Sequence, residues 1–289
     1  MKKIAWIGTG VMGSAMAHHL LDAGYIVSIT TRTKDKAKSL IDAGAIWFDD
    51  VQGCVKDVEA VFTMVGYPKD VQEIYLKEHG IFDSVKAGTL CIDMTTSSPK
   101  LAKKLYAEGL KRSIPVLDAP VSGGDIGAKN ATLAIMCGGD KPAFEAMVPL
   151  FEKLGKNIRY MGAASFGQHT KMANQIAVAG AIAATTEAIL YAQAAGLDAN
   201  DVLAAISTGA AGSWQLTNNG PKILSGDTKP GFYIQHFVKD MGLILEESAD
   251  FHLDLPVLQK VYEKYLILLG EGHGLLGTQA LIKAYRAEN

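Results

Sequence analysis

A chain of 289 residues is too long for one small core, and 48% hydrophobic against 20% charged residues is the composition of a globular protein, here with two domains expected. A net charge of −2 and a pI near 6.4 argue against a nucleic-acid reader or a basic membrane-surface protein, because the most basic stretches, "RTKDKAK" and "KLYAEGLKR", are interrupted and read as solvated helix faces. Cys54, Cys91 and Cys137 stand far apart with no CxxC spacing, which points to small core thiols in a reducing, cytoplasmic compartment and to no metal site.

In chain order, "MKKIAWIGTGVMG" pairs basic residues with an apolar run, as a signal peptide does, but glycines break the run after a few residues and leave a strand. Strand-like runs follow in "IVSITTR", "AVFTMV", "TLCIDM", "IPVLDAPV" and "LAIMCGG", alternating early with helical patterns in "GSAMAHHLLDAG" and "TKDKAKSLIDAG". That alternation predicts a parallel sheet covered by helices. After about Met161 the pattern becomes alanine-rich, and only helices are expected. One runs from Phe166 to Ala195, roughly 45 Å long, and stops at Gly196. Its uncharged stretch from Ile176 to Thr186 is shorter than the roughly 18–20 residues that cross a bilayer, so no membrane partner is expected. "DANDVLAAIST", "VKDMGLILEESADF", "PVLQKVYEKYLILLGEG" and "LGTQALIKAYRAEN" read as further helices.

Gly8, Gly10 and Gly13 form G-x-G-x-x-G directly after the first strand and at the opening of a helix. In that context Gly8 allows the tight turn, Gly10 lets a pyrophosphate approach the backbone, and Gly13 lets helix pack on strand. With Val11 and Met12 they form the expected dinucleotide cradle. About 20 residues further on, where NAD-binding proteins carry an acidic residue for the ribose, this chain has Thr31, Arg32 and Thr33. A guanidinium there can pair with a 2′-phosphate, which favours NADP over NAD; the alternative is a solvated arginine at a strand end. The predicted architecture is α/β: an N-terminal Rossmann dinucleotide-binding domain over 1–163, joined through the long helix to an all-α domain over 164–289.

Four blocks, "WIGTGVMGSAMAHHL", "DMTTSSP", "DAPVSGGDIGAKNATLAIMCGG" and "GQHTKMANQ", with "FVKDMGLILEES" in support, give the chain a resemblance to the β-hydroxyacid dehydrogenase family over nearly its whole length. The resemblance implies hydride transfer between a nicotinamide and a short 3-hydroxy acid or its semialdehyde. It implies Ser122 with the amides of Gly123 and Gly124 on the substrate carboxylate, Met64, Val65 and Lys239 on the cofactor, and Thr96 on the nicotinamide ribose of the cofactor or on the substrate. Thr96 and its serine neighbours can equally cap the helix opening at Pro99. Asp240 can orient Lys239 or Lys171, and Asn174, Gln175, Phe232 and Trp214 are candidates for the substrate wall, with core packing the blander role for the two aromatics.

Lys171, the one Lys, Arg, Asp or Glu residue between Tyr160 and Thr186, is the catalytic acid/base the resemblance implies. An amine in a poorly solvated cleft can exchange a proton with the substrate oxygen and stabilise a developing oxyanion. The chain departs from the family pattern at Gln175, where an asparagine is common, at Ala131, where a glycine is usual, and near its end, where an Asp and a Ser are missing. After Arg159 only Arg286 remains, so a small monocarboxylate fits better than a sugar phosphate that guanidinium groups would clamp. A homodimer or homotetramer is expected from the apolar helical half. A nucleotide-binding sensor without turnover, or a reductase of another small carbonyl or imine, are the alternatives.

Overall fold

The computed structural model describes residues 1–286. Among the described residues nine strands form one sheet: β1 (Lys3–Ile7), β2 (Ile26–Thr30), β3 (Ile46–Trp47), β4 (Ala60–Thr63), β5 (Leu90–Asp93), β6 (Val116–Asp118), β7 (Val121–Ser122), β8 (Leu133–Gly138) and β9 (Gly155–Gly162). The first six lie parallel in the order β3-β2-β1-β4-β5-β6, the doubly wound arrangement the alternating pattern predicts. Both faces are buried, which is why these strands read as continuous apolar runs. Ile4 and Trp6 pack with Phe62 and Ile92 on one face, while Ala5, Ile7, Val61 and Cys91 fill the other. Trp6 stacks on Phe62 with ring centroids 5.3 Å apart. All three cysteines are buried and free, and burial pushes the Cys54 thiol up to about 12, which leaves it unreactive.

The register of the parallel strands decides where the site can be. Thr30 of β2 lies beside Ile7 of β1, Ile7 beside Thr63 of β4, Thr63 beside Asp93 of β5, and Asp93 beside Asp118 of β6. Five strands therefore end in one row, and the segments that follow them all emerge along the carboxyl edge of the sheet, where open α/β sheets bind ligands.

The run "IPVLDAPV" is divided at Ala119–Pro120 into β6 and β7. Both parts keep one antiparallel register against β8, with Asp118 opposite Gly138, Val121 opposite Ile135 and Ser122 opposite Ala134. The Ala119 N–H turns away to the Asp93 carbonyl at 2.7 Å, while Pro120 accepts from Met136 N–H at 3.0 Å. Neither β3 nor β9 was legible in the sequence. β3 is two residues long, and "GKNIRYMG" of β9 lies on the outer edge of β8 with most side chains exposed or half-buried, so it lacks the apolar signature of a core strand.

The first helix, Val11–Asp22, begins directly at the glycine turn. "TKDKAKSLIDAG" forms a 3₁₀ turn, Lys34–Ala37, and a short helix, Lys38–Asp42, rather than one long helix. The long helix spans Phe166–Ala194, and Gly196 at φ 75° closes it: Leu197 N–H bonds to the Ala192 carbonyl at 2.9 Å and Gly196 N–H to the Gln193 carbonyl at 3.1 Å, the glycine-terminated pattern.

The chain divides into two compact units, Met1–Lys171 and Met172–Asn289. The division falls inside the long helix, eight residues beyond the expected boundary between 163 and 164. In the second unit Ala179, Ile182 and Ile189 of the long helix pack with Phe237, Met241 and Ile244 of helix Ile234–Asp250 and with Tyr265 and Leu268 of helix Pro256–Gly270. Further helical segments are Ala199–Ile206, a π-helical turn Gln215–Asn219 leading into Gly220–Ser225, and Thr278–Leu281 leading into Ile282–Arg286. The last three residues of the helix expected over "LGTQALIKAYRAEN" lie outside the described residues. By length and composition helix Phe166–Ala194 could cross a membrane, a test its inner stretch alone had failed; its most apolar window has a mean hydropathy of 1.3 and is 44% buried within the protein.

Candidate active site

Gly8 sits at φ 98°, and a Cβ there would collide with the backbone carbonyl of Met64, so only glycine permits the approach of the β1 turn to the end of β4. A Cβ on Gly13 would strike the Gly8 carbonyl. At Gly10 nothing lies within 4 Å of an added Cβ. Gly10 is the N-cap of helix Val11–Asp22 and supplies no side-chain acceptor for its first N–H groups, while Val11 is exposed and Met12 half-buried beside it. A cradle with open space above the central glycine and uncapped helix N–H groups fits a pyrophosphate.

Thr31, Arg32 and Thr33 follow the end of β2 as expected. The Arg32 side chain is 84% exposed, and its Nη1 lies 3.4 Å from Oδ1 of Asp70, whose Oδ2 accepts Tyr67 N–H at 3.2 Å. The guanidinium is thus loosely tethered with most of its donors facing outward, which fits a phosphate contact as well as plain solvation.

Met64 and Val65, both half-buried, leave β4 beside the loop after β5. Val65 N–H bonds to Thr95 Oγ1 at 3.0 Å, Thr95 N–H to Asp93 Oδ1 at 3.1 Å, and Thr63 Oγ1 donates to the same carboxylate oxygen at 2.9 Å. Thr96 is half-buried between two buried neighbours, Thr95 and Ser97. It is not the cap of helix Pro99–Lys111: Ser98 Oγ accepts the Leu101 N–H at 3.4 Å instead.

At β7, half-buried Ser122 leads into Gly123 at φ 138° and Gly124 at φ 63°, two successive backbone conformations that L side chains rarely adopt. Two consecutive glycine amides are the kind of group that suits a carboxylate, the role the resemblance implies for them. Protonated on Nε2, His19 donates to the Ala128 carbonyl at 2.9 Å, which ties the nucleotide-turn helix to the short helix Gly124–Lys129 that follows these glycines.

Asp118 and Gln168 were absent from the predicted site, although both stand inside the quoted blocks. Asp118 is buried at the end of β6, where Oδ1 accepts Ser165 N–H at 2.7 Å and Oδ2 accepts Gln168 N–H at 2.8 Å. Burial pushes its carboxyl up to about 7, and those two backbone hydrogen bonds restrain the rise. The Gln168 side chain reaches the loop after β5: Nε2 donates to the Thr95 carbonyl at 2.7 Å and Oε1 accepts Ser97 N–H at 2.9 Å. Lys171 lies one turn further along the same helix and is only 7% exposed.

In the second unit, Gln175 Nε2 donates to Asp240 Oδ2 at 2.7 Å and its Oε1 accepts from Asn174 Nδ2 at 2.8 Å. Gln175 is buried, so the longer amide is occupied in holding Asp240 and Asn174. Oδ1 of Asp240 lies 3.0 Å from Lys239 Nζ, and the two form an ion pair. Phe232 is half-buried and packs edge-on against Phe237 with centroids 5.7 Å apart. Trp214 is 57% exposed, which overturns core packing for it. Among the described residues no His, Cys, Asp and Glu cluster could hold a metal ion.

Residues 3–162 match the family model for the NAD-binding domain of 6-phosphogluconate dehydrogenase, and residues 165–285 match that for the NAD-binding region of NADP-dependent 3-hydroxyisobutyrate dehydrogenase. The uncharacterized oxidoreductase YkwC of Bacillus subtilis is 50% identical, covering 98% of this chain and 99% of its own. The 2-hydroxy-3-oxopropionate reductase of Escherichia coli is 36% identical, over 98% and 96%. The solved structure of Mycobacterium tuberculosis 3-hydroxyisobutyrate dehydrogenase with L-serine superposes with a TM-score of 0.90 at 29% identity and covers 99% of both chains. With the glycine cradle, the strand order and these matches together, the chain belongs to the β-hydroxyacid dehydrogenase family of NAD(P)-dependent oxidoreductases acting on CH–OH groups.

Proposed function

We propose that the chain interconverts a short 3-hydroxy monocarboxylate and its semialdehyde, with NADP(H) preferred and Lys171 as general acid/base. The observation that carries this reading is the burial of Lys171, 7% exposed, on the helix whose start is held by the strand end that leads to Ser122, Gly123 and Gly124. The nicotinamide supplies or takes the hydride. Lys171 Nζ gives its proton to the substrate oxygen in reduction and receives one in oxidation, and its charge steadies the oxyanion between the two states. Ser122 Oγ and the two glycine amides hold the carboxylate, which fixes the reacting carbon. Two relatives support a small substrate of this kind: one is named for 2-hydroxy-3-oxopropionate, and another was solved with L-serine, itself a 3-hydroxy acid. Exposed Tyr191, Val257 and Leu275 on the second unit favour a homo-oligomer, and the three buried free thiols favour the cytoplasm.

The test is a steady-state screen of NADPH and NADH oxidation with glyoxylate and with succinic, tartronate and methylmalonate semialdehydes, run beside Lys171→Ala. The variant is expected to lose roughly 10²- to 10⁴-fold in kcat while nucleotide affinity stays within about threefold. Wild-type kcat in the variant would sink the assignment.

A further inference from the structure

Gln168 has no part in the chemistry just assigned, yet it is fully buried, and both ends of its side-chain amide meet main-chain groups of one loop. Those groups, the Thr95 carbonyl and the Ser97 N–H, flank Thr96 on either side. The amide's orientation follows from its partners: the NH₂ must face the carbonyl and the oxygen the N–H, since the reverse assignment would satisfy neither. Its backbone is held as firmly, because the Gln168 N–H donates to Asp118 Oδ2 at 2.8 Å. Thr95 continues the connection, accepting Val65 N–H on its hydroxyl at 3.0 Å. Four sequence-distant segments, carrying Val65, Thr96, Asp118 and Lys171, are thereby joined through one glutamine.

We infer that Gln168 is a positioning residue for the transfer reaction: its amide brackets Thr96 and fixes that loop relative to Lys171 one helical turn away. The inference rests on the reaction proposed above. Residues three apart on a helix are surface neighbours, so a shift of the Gln168 side chain against the loop is a shift of Lys171 against whatever Thr96 touches. Transfer between two bound groups is sensitive to displacements of this size, since misplacement by about 1 Å can cost on the order of 10²-fold in rate. A glutamine suits the task because it is neutral, long enough to cross from helix to loop, and carries donor and acceptor side by side.

The test compares the wild type, Lys171→Ala, Gln168→Met and Gln168→Glu, with kcat, KM, nucleotide affinity and melting temperature measured for each. Gln168→Met keeps the length but neither hydrogen bond, and is expected to lower kcat by about 10- to 100-fold while nucleotide affinity changes by less than about threefold. Gln168→Glu guards against a variant that merely fails to fold. As a carboxylic acid it can make both bonds, and as a carboxylate it loses the one to the Thr95 carbonyl. Its kcat relative to wild type is therefore expected to recover at low pH and to fall as pH rises, a dependence a purely structural role would not produce. Loss of turnover in Lys171→Ala with full kcat in Gln168→Met, or a pH-independent kcat ratio in Gln168→Glu, overturns the inference alone. No turnover in the wild type with any substrate tested overturns the proposed reaction and takes this inference with it.

Discussion

The carboxylate of Asp118 caps the helix that carries Lys171, taking the Gln168 N–H on Oδ2 at 2.8 Å and the Ser165 N–H on Oδ1 at 2.7 Å. Its native pKa of about 7 lies above the roughly 3.9 of an unfolded aspartate, so the folded state holds the proton more tightly. Stability from this group is present below about pH 4 and is lost as pH rises toward 7. The melting temperature of the wild type is expected to fall more steeply between pH 5 and 8 than that of Asp118→Asn. At pH 5 the variant is expected to be less stable by about 1–2 kcal/mol, because one N–H donor would face an NH₂ group, and the gap should narrow as pH rises. Parallel melting curves across that range would contradict the assignment.

Ala131 occupies a left-handed conformation, φ 51°, at the turn before β8, where the resemblance leads one to expect glycine. A Cβ in that region costs on the order of 1 kcal/mol. Ala131→Gly should raise stability by about 0.5–1 kcal/mol in chemical denaturation, with an unchanged slope against denaturant. A lower midpoint would show that the methyl group makes contacts worth more than the strain.

Gly10 and Gly13 should separate binding from folding. Gly13→Ala forces a Cβ into the Gly8 carbonyl and is expected to lower the melting temperature sharply. Gly10→Ala places its methyl group in open space, so stability should be unchanged, whereas nucleotide affinity measured by titration calorimetry should fall at least tenfold because the methyl stands where the pyrophosphate approaches. Full affinity in Gly10→Ala would move the nucleotide away from this turn.

Arg32, 84% exposed and tethered to Asp70, decides cofactor choice in the proposed reading. Arg32→Ala should raise the KM for NADPH by about tenfold or more and leave that for NADH within about twofold, since only NADPH carries the 2′-phosphate. Equal effects on both cofactors would reduce Arg32 to a solvated side chain.

Motifs whose physics is local were legible from residues alone. The glycine turn, the end of the long helix at Gly196 and the buried strands each depend on near neighbours in the chain, and β3 and β9 escaped because one is too short and the other too exposed to leave an apolar pattern. Lys171 was conspicuous as a charge among alanines. Asp118 and Gln168 were not, because a carboxylate at a strand end and a glutamine in a helix become significant only when their partners, 47 to 73 residues away, are known. Gln175 was marked as a departure from the family, but its engagement with Asp240 across 65 residues was not foreseeable.

The kind of fold, the nucleotide turn and the conspicuous position of Lys171 could be read from the residues alone, since periodicity, glycine placement and the charge pattern act over a few residues. The tertiary structure decided which strand ends share a row, which side chain caps the lysine's helix and which amide braces Thr96, because those relations depend on register and on hydrogen bonds between segments that only folding brings together.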